Sequence, residues 1–160
     1  MKWLALAIIT ALTVGLLLLA GTAEGKATRI SFTAEETSCI PTSPGTSWYA
    51  DGTLHIRGYT QVCDHAGSIP QVDGTDYEVL NLNLDATGSG VIWGTWRLEV
   101  EGGSWEGVHH GKIAGLLTPG QYGTARGVGH GTGIYEGQQY FTESVSTLGL
   151  TAGAGYILVP

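Results

Sequence analysis

The sequence predicts an all-β domain, a single antiparallel barrel of about eight strands. Three observations carry that prediction. Glycine occurs 26 times in 160 residues, and each glycine inside a helix costs about 1 kcal/mol relative to alanine. Apolar and polar residues alternate with period two in one segment after another, the mark of a strand with one buried face. Between these segments lie Asp51-Gly52, Asp73-Gly74, Thr87-Gly88-Ser89-Gly90, Gly102-Gly103 and Thr118-Pro119-Gly120, which supply positive or preset φ where the chain reverses. Hydrophobic residues make up 42% of the chain, too many for a disordered protein. The net charge of -7 argues against nucleic acid as a partner, because phosphates require a basic face.

The first segment reads as an address. Met1-Lys2 is a short basic start, Trp3 to Ala20 is almost wholly apolar, and Gly21 and Ala23 suit the small-residue subsites of a signal peptidase. Residues 1–23 are therefore expected to be a signal peptide cut after Ala23, with the barrel at 24–160 and the protein exported. Retained, the same segment would be a membrane anchor, the only membrane contact expected. Export would let Cys39 and Cys63, the two cysteines of the chain, pair. Their bridge would close a loop of about 24 residues and stabilise by roughly 3 kcal/mol. A cytosolic chain would instead leave two free thiols. The run from Cys39 to Gly45, with Pro41 and Pro44, has the chemistry of a turn-rich loop.

The strands follow in order. Ala27–Ala34 alternates weakly. Thr53–Cys63 places Leu54, Ile56, Thr60 and Val62 on one side and His55, Arg57, Tyr59 and Gln61 on the other. Tyr77–Leu84 sets Leu80, Leu82 and Leu84 opposite Asn81 and Asn83. Val91–Glu101 collects Ile92, Trp96, Leu98 and Val100 on one face and Arg97, Glu99 and Glu101 on the other. Ser104–Ala114, Gln121–His130, Gln138–Ser146 and Gly153–Val159 complete the set. Eight strands suit a closed barrel, which leaves no edge to aggregate. With Gly102-Gly103 as a two-residue loop, Val100 faces Trp105, Leu98 faces Gly107 and Trp96 faces His109. That register keeps both apolar faces together, at the cost of Glu99 opposite Glu106. It puts His109, Gly94, Gly107 and Gly111 on the buried face, where small residues make room either for aromatic rings or for a cavity.

The stretch Gly129-His130-Gly131-Thr132-Gly133-Ile134-Tyr135-Glu136-Gly137 resembles a segment of the allene oxide cyclase and dirigent group. The hairpin from Trp93-Gly94-Thr95-Trp96 to Trp105-Glu106-Gly107 is similar to repeats in bacterial relatives of that barrel. The resemblance runs from about Gly90 to Ser146. It implies an eight-stranded antiparallel barrel with an apolar cavity, often oligomeric. Cyclases of the group steer ring closure of a fatty-acid epoxide. Dirigent proteins guide radical coupling of phenols with acidic side chains in the pocket, a part to which Asp85 or Glu143 could be suited. Glu136 falls in the acidic slot of the glycine-aromatic motif.

Candidate site residues are few. His109, beside Trp96 on the apolar face, is a candidate general acid or base, since burial would shift its pKa; Glu136 is the second catalytic candidate. Trp96, Trp105, Tyr135 and Trp48 are candidate ligand contacts, as aromatic linings favour apolar or aromatic molecules. His109, His110 and His130 with Glu106 could make a metal site only if a bulge let adjacent strand residues share a face, and their spacing matches no standard zinc pattern, so no metal is expected. The glycine run 127–133 has neither a following helix nor a terminal lysine for phosphate, and no cofactor is expected. No Gly-x-Ser-x-Gly elbow is present. The leading expectation is thus an exported barrel that binds a small apolar or aromatic molecule without transforming it. The alternatives are a cyclase or isomerase working in the cavity and a filled barrel acting through its surface.

Overall fold

The computed structural model describes residues 26–148 and 150–160; the expected signal peptide, 1–23, lies outside the described residues. Nine strands follow one another: β1 Thr28–Ser43, β2 Thr46–Ala50, β3 Thr53–Gly67, β4 Gly74–Leu84, β5 Gly90–Val100, β6 Gly103–Ala114, β7 Tyr122–Gly131, β8 Gln139–Thr147 and β9 Leu150–Val159. Sequential strands pair antiparallel from β2 round to β9 through β3, and β9 pairs with β1. The cylinder closes because β1 is long enough to pair twice. Its first part, Thr28–Glu36, runs beside β9, and its later part, Ala34–Ser43, runs beside β3. Eight strands make the closed barrel, and β2 adds a short outer flap on β3.

The structure departs from the sequence expectation in four places, each with a physical cause. The Cys39–Gly45 run is strand as far as Ser43, not loop. Cys39 lies directly opposite Cys63, and Pro41 opposite Gln61. Beyond Glu36, β9 no longer accompanies β1, so Pro41 occupies an edge where a missing N–H is tolerated. Second, the β5–β6 hairpin turns on Glu101 and Gly102 rather than Gly102-Gly103. Gly102 takes φ +85°, and Leu98 faces Trp105 while Arg97 faces Glu106. This two-residue shift preserves which side is buried and replaces the Glu99–Glu106 clash with an ion pair, Arg97 Nε to Glu106 Oε1 at 3.3 Å.

Third, the alternation in β3 is interrupted. Ile56 faces Leu82 and Tyr59 faces Leu80, so β3 uses one more residue than β4 between the same two levels. The extra residue forms a β-bulge at Gly58, φ +67°. Past it the faces exchange: Tyr59, Gln61, Cys63 and His65 turn inward, and Thr60 and Val62 turn out. Fourth, β2 lies outside the eight expected strands and is a flap whose five residues are all exposed.

The barrel's lower end is packed solid. Phe32, Leu98, Trp105, Tyr135, Tyr140 and Ile157 are buried there, covered by two 3-10 turns, Pro70–Val72 and Gly133–Tyr135. The rings fit because the facing strands carry glycine. A Cβ at Gly129 would come within 2.8 Å of the Trp96 ring, and one at Gly107 within 2.9 Å. Every inward position of β7 is small: Gly123, Ala125, Gly127, Gly129 and Gly131. Towards the upper end that small-residue wall faces Leu80 and Leu82 of β4 across open space.

Candidate functional site

The open space is a cavity of about 730 Å³, within the range that encloses drug-sized molecules. Its wall runs out to Leu117 and Leu150, both exposed, so it opens to solvent at the end bearing the β6–β7 and β8–β9 connections. The mouth half is aliphatic, walled by Ile56, Leu80, Leu82, Ile92, Ile113 and Leu116. The deep half is polar, and its floor is the aromatic plug.

Three carboxyl groups meet in that deep half. Glu36 of β1 and Asp76 and Glu78 of β4 bring an oxygen each within 4.8 Å of one another. Asp76 and Glu78 are buried, and Asp76 Oδ1 has no hydrogen-bond partner. The Gln61 amide donates to Glu78 Oε2 at 2.5 Å. Burial raises the pKa of all three acids. For Asp76, burial and the Glu36 charge push it to about 7. For Glu78, burial and the Glu36 and Asp76 charges push it to about 8.

His109 stands beside this group, its Nδ1 3.6 Å from Glu78 Oε1. Burial, and then the neighbouring His110, lower its pKa to about 4. An ion pair would need both groups charged, whereas burial drives each towards its neutral form. Near neutral pH the pair is therefore a neutral imidazole beside a protonated acid. His109 Nε2 and Trp96 Nε1 are buried without a hydrogen-bond partner, and both residues line the cavity.

The remaining sequence candidates lie elsewhere. Trp105 is fully buried below the cavity, with Nε1 donating to the Gln71 carbonyl at 2.7 Å. Tyr135 stacks on it, ring centroids 5.0 Å apart, and its hydroxyl donates to the Glu101 carbonyl. Both seal the floor and do not reach the cavity. Trp48 is on the outer flap, stacked on His55 and near the Arg57 guanidinium. Glu136 is exposed in the turn after Tyr135. Asp85 caps its own turn through Thr87 and Ser89, and Glu143 pairs outside with Arg126 at 3.0 Å. His109 points in and His110 points out, as strand alternation requires. Cys39 and Cys63 form a disulfide.

The acid cluster is the feature that the sequence expectation missed, although its signal was present. Asp76 and Glu78 continue the period of Leu80, Leu82 and Leu84 backwards along β4. Glu36 continues that of Phe32 and Ala34 along β1. Charged residues on a buried face are informative where exposed ones are not. Gln61 and His65 were hidden by the bulge.

Comparison of the chain with protein-family models, with curated proteins and with solved structures finds no match. What the fold and site define is a closed, disulfide-linked antiparallel barrel with a one-ended cavity, apolar at the mouth and acidic at depth.

Proposed function

We propose that this protein is an exported binding barrel that admits a small molecule with an apolar or aromatic body and releases it unchanged. The observation that carries the reading is the cavity of about 730 Å³, open at one end, plugged at the other and walled by aliphatic side chains. Burying a ligand's apolar surface there would contribute about 25 cal/mol per Å² before the costs of association. The disulfide supports an oxidising compartment, as does the leader-like start of the sequence. The resemblance to the allene oxide cyclase and dirigent barrels supports the cavity reading at the level of architecture.

Uptake of an apolar fluorescent dye, with native mass spectrometry of the secreted protein, tests it. The wild type should take up dye and carry ligand from its source. The double variant Leu82→Trp/Ala125→Phe, which fills the cavity from facing walls, should lose at least about tenfold in dye affinity while keeping its circular dichroism spectrum. A wild type that takes up neither dye nor ligand overturns the reading.

A second reading, a cyclase or isomerase, is favoured by one observation: Glu78 and His109 adjoin the cavity with perturbed pKa values, as general acid–base groups do. Under it, His109→Ala would abolish turnover and leave dye uptake intact. Glu136, outside the cavity, would have no part in that reaction.

A further inference from the structure

We propose that the occupant of the cavity is an amphiphilic amine, with its ammonium group seated among Glu36, Asp76 and Glu78 and its apolar body lying along the aliphatic wall towards the mouth. The inference rests on the binding reading above and adds the ligand's chemical class.

Four features of the deep chamber point to a cationic head. First, it gathers three carboxyl groups from two strands, in a place where burying an acid is expensive. The titratable groups facing them are Tyr59 and His65 from β3, His109 from β6 and Tyr140 from β8. The cavity lining from β5, β7 and β9 contributes none. Lys112 borders the cavity but is exposed, nearer the mouth. Among the described residues, no lysine or arginine therefore neutralises the cluster, and burial holds the facing His65 and His109 towards their neutral forms. Second, Asp76 Oδ1, on a residue only 7% exposed, has no partner. An unmet buried acceptor calls for a donor from outside the chain. Third, Trp96 and Tyr140 line the same deep wall, ring centroids 5.0 Å apart, and aromatic rings favour cations. Fourth, the polar and apolar halves are arranged end to end, so one molecule with a head and a tail satisfies both. A fatty acid would bring a fourth carboxyl to the same place.

The charge balance is complete without a co-reactant. The empty cluster holds protons, since burial and mutual repulsion raise the pKa of its members. An entering ammonium replaces a proton, which leaves to solvent. Amine affinity therefore rises with pH as long as the amine itself stays protonated.

Displacement of an apolar dye by decylamine, decanol and decanoic acid, below their micellar concentrations, tests the proposal. At about pH 8.5, decylamine should displace dye at a concentration at least about tenfold lower than decanol, with decanoate weakest. At about pH 5.5 that preference should collapse. Asp76→Asn and Glu78→Gln mimic the protonated acids in shape; each should reduce the amine's advantage to threefold or less and leave decanol unchanged. Glu36→Gln offers the same readout from another strand should either fold poorly. Equal displacement by decanol and decylamine at the higher pH would overturn the amine assignment and leave the binding reading standing. So would tight binding of manganese that Asp76→Asn abolishes and that excludes decylamine, which would make the cluster a metal site. A barrel into which no probe enters would remove both readings together.

Discussion

Single side chains divide the two indoles of the barrel core by role. Trp105 is satisfied: its N–H meets the Gln71 carbonyl and its ring stacks on Tyr135. Trp96 presents an unmet N–H in the lining of the cavity. Trp105→Ala should therefore destabilise by about 3–5 kcal/mol, measured by urea unfolding, because it opens the floor and orphans a carbonyl. Gly129→Ala tests the aromatic-on-glycine packing. A methyl there meets the Trp96 ring and the Glu106 carbonyl, at 2.8 and 2.7 Å, and should cost about 1–3 kcal/mol with a shift in tryptophan fluorescence. At this scale the sequence was partly legible. His109 and Trp96 could be placed on the buried face by alternation alone. The same alternation places Asp76 and Glu78, because they continue the leucine row of β4.

Strands, not residues, decide how the cylinder closes. The seam is the pairing of the later part of β1 with β3, and the Cys39–Cys63 disulfide lies across it. Reduction, or a Cys39→Ala/Cys63→Ala double variant, should lower stability by roughly 3 kcal/mol in the chain-entropy account. The loss should appear as a lower melting temperature, with increased hydrogen exchange in β1 and β3 first. An unchanged melting temperature would mean that strand pairing alone holds the seam. Strand existence was legible from period-two runs and turn residues. Lengths and registers were less so. Pro41 and Pro44 hid the second half of β1, because proline's usual meaning of a turn gives way at Pro41 on an edge strand. The β5–β6 slip went unseen because a shift of two residues leaves both faces unchanged. Only the Glu99–Glu106 opposition hinted at it, and the observed register removes that clash.

For the whole molecule, buried acids and imidazoles link stability to pH in opposite directions. Asp76 and Glu78 have raised pKa values in the folded state, so the folded chain binds more protons than the unfolded one above about pH 4. Their contribution is full at low pH and is lost as pH rises through about 7 and 8. His109 and His65 are lowered, chiefly by burial. Their contribution appears as pH rises towards the ordinary histidine value and is complete above it. The two effects oppose each other on the acid side. Of these four groups, the carboxyls dominate the titration above about pH 6.5, so the melting temperature should fall by several degrees between about pH 6.5 and 8.5. Glu78→Gln should flatten that fall, and bound amine should reverse it. The all-β barrel itself was legible from composition, alternation and strand count. Whether its interior was filled or hollow was not, because glycine facing an aromatic serves both outcomes. Here it serves both in one molecule, plug below and chamber above.

The one-residue surplus at Gly58 makes the chamber's chemistry a matter of odd and even. Deleting that glycine would turn Tyr59, Gln61, Cys63 and His65 to the outside and present Thr60 and Val62 in their place. It would strip Glu78 of its amide neighbour and part Cys63 from Cys39, yet leave the composition of the strand almost unaltered. A descendant of this chain lacking that residue would keep the cylinder's outline and its three acids, and lose at a single step the amide, imidazole and disulfide that β3 sets beside them.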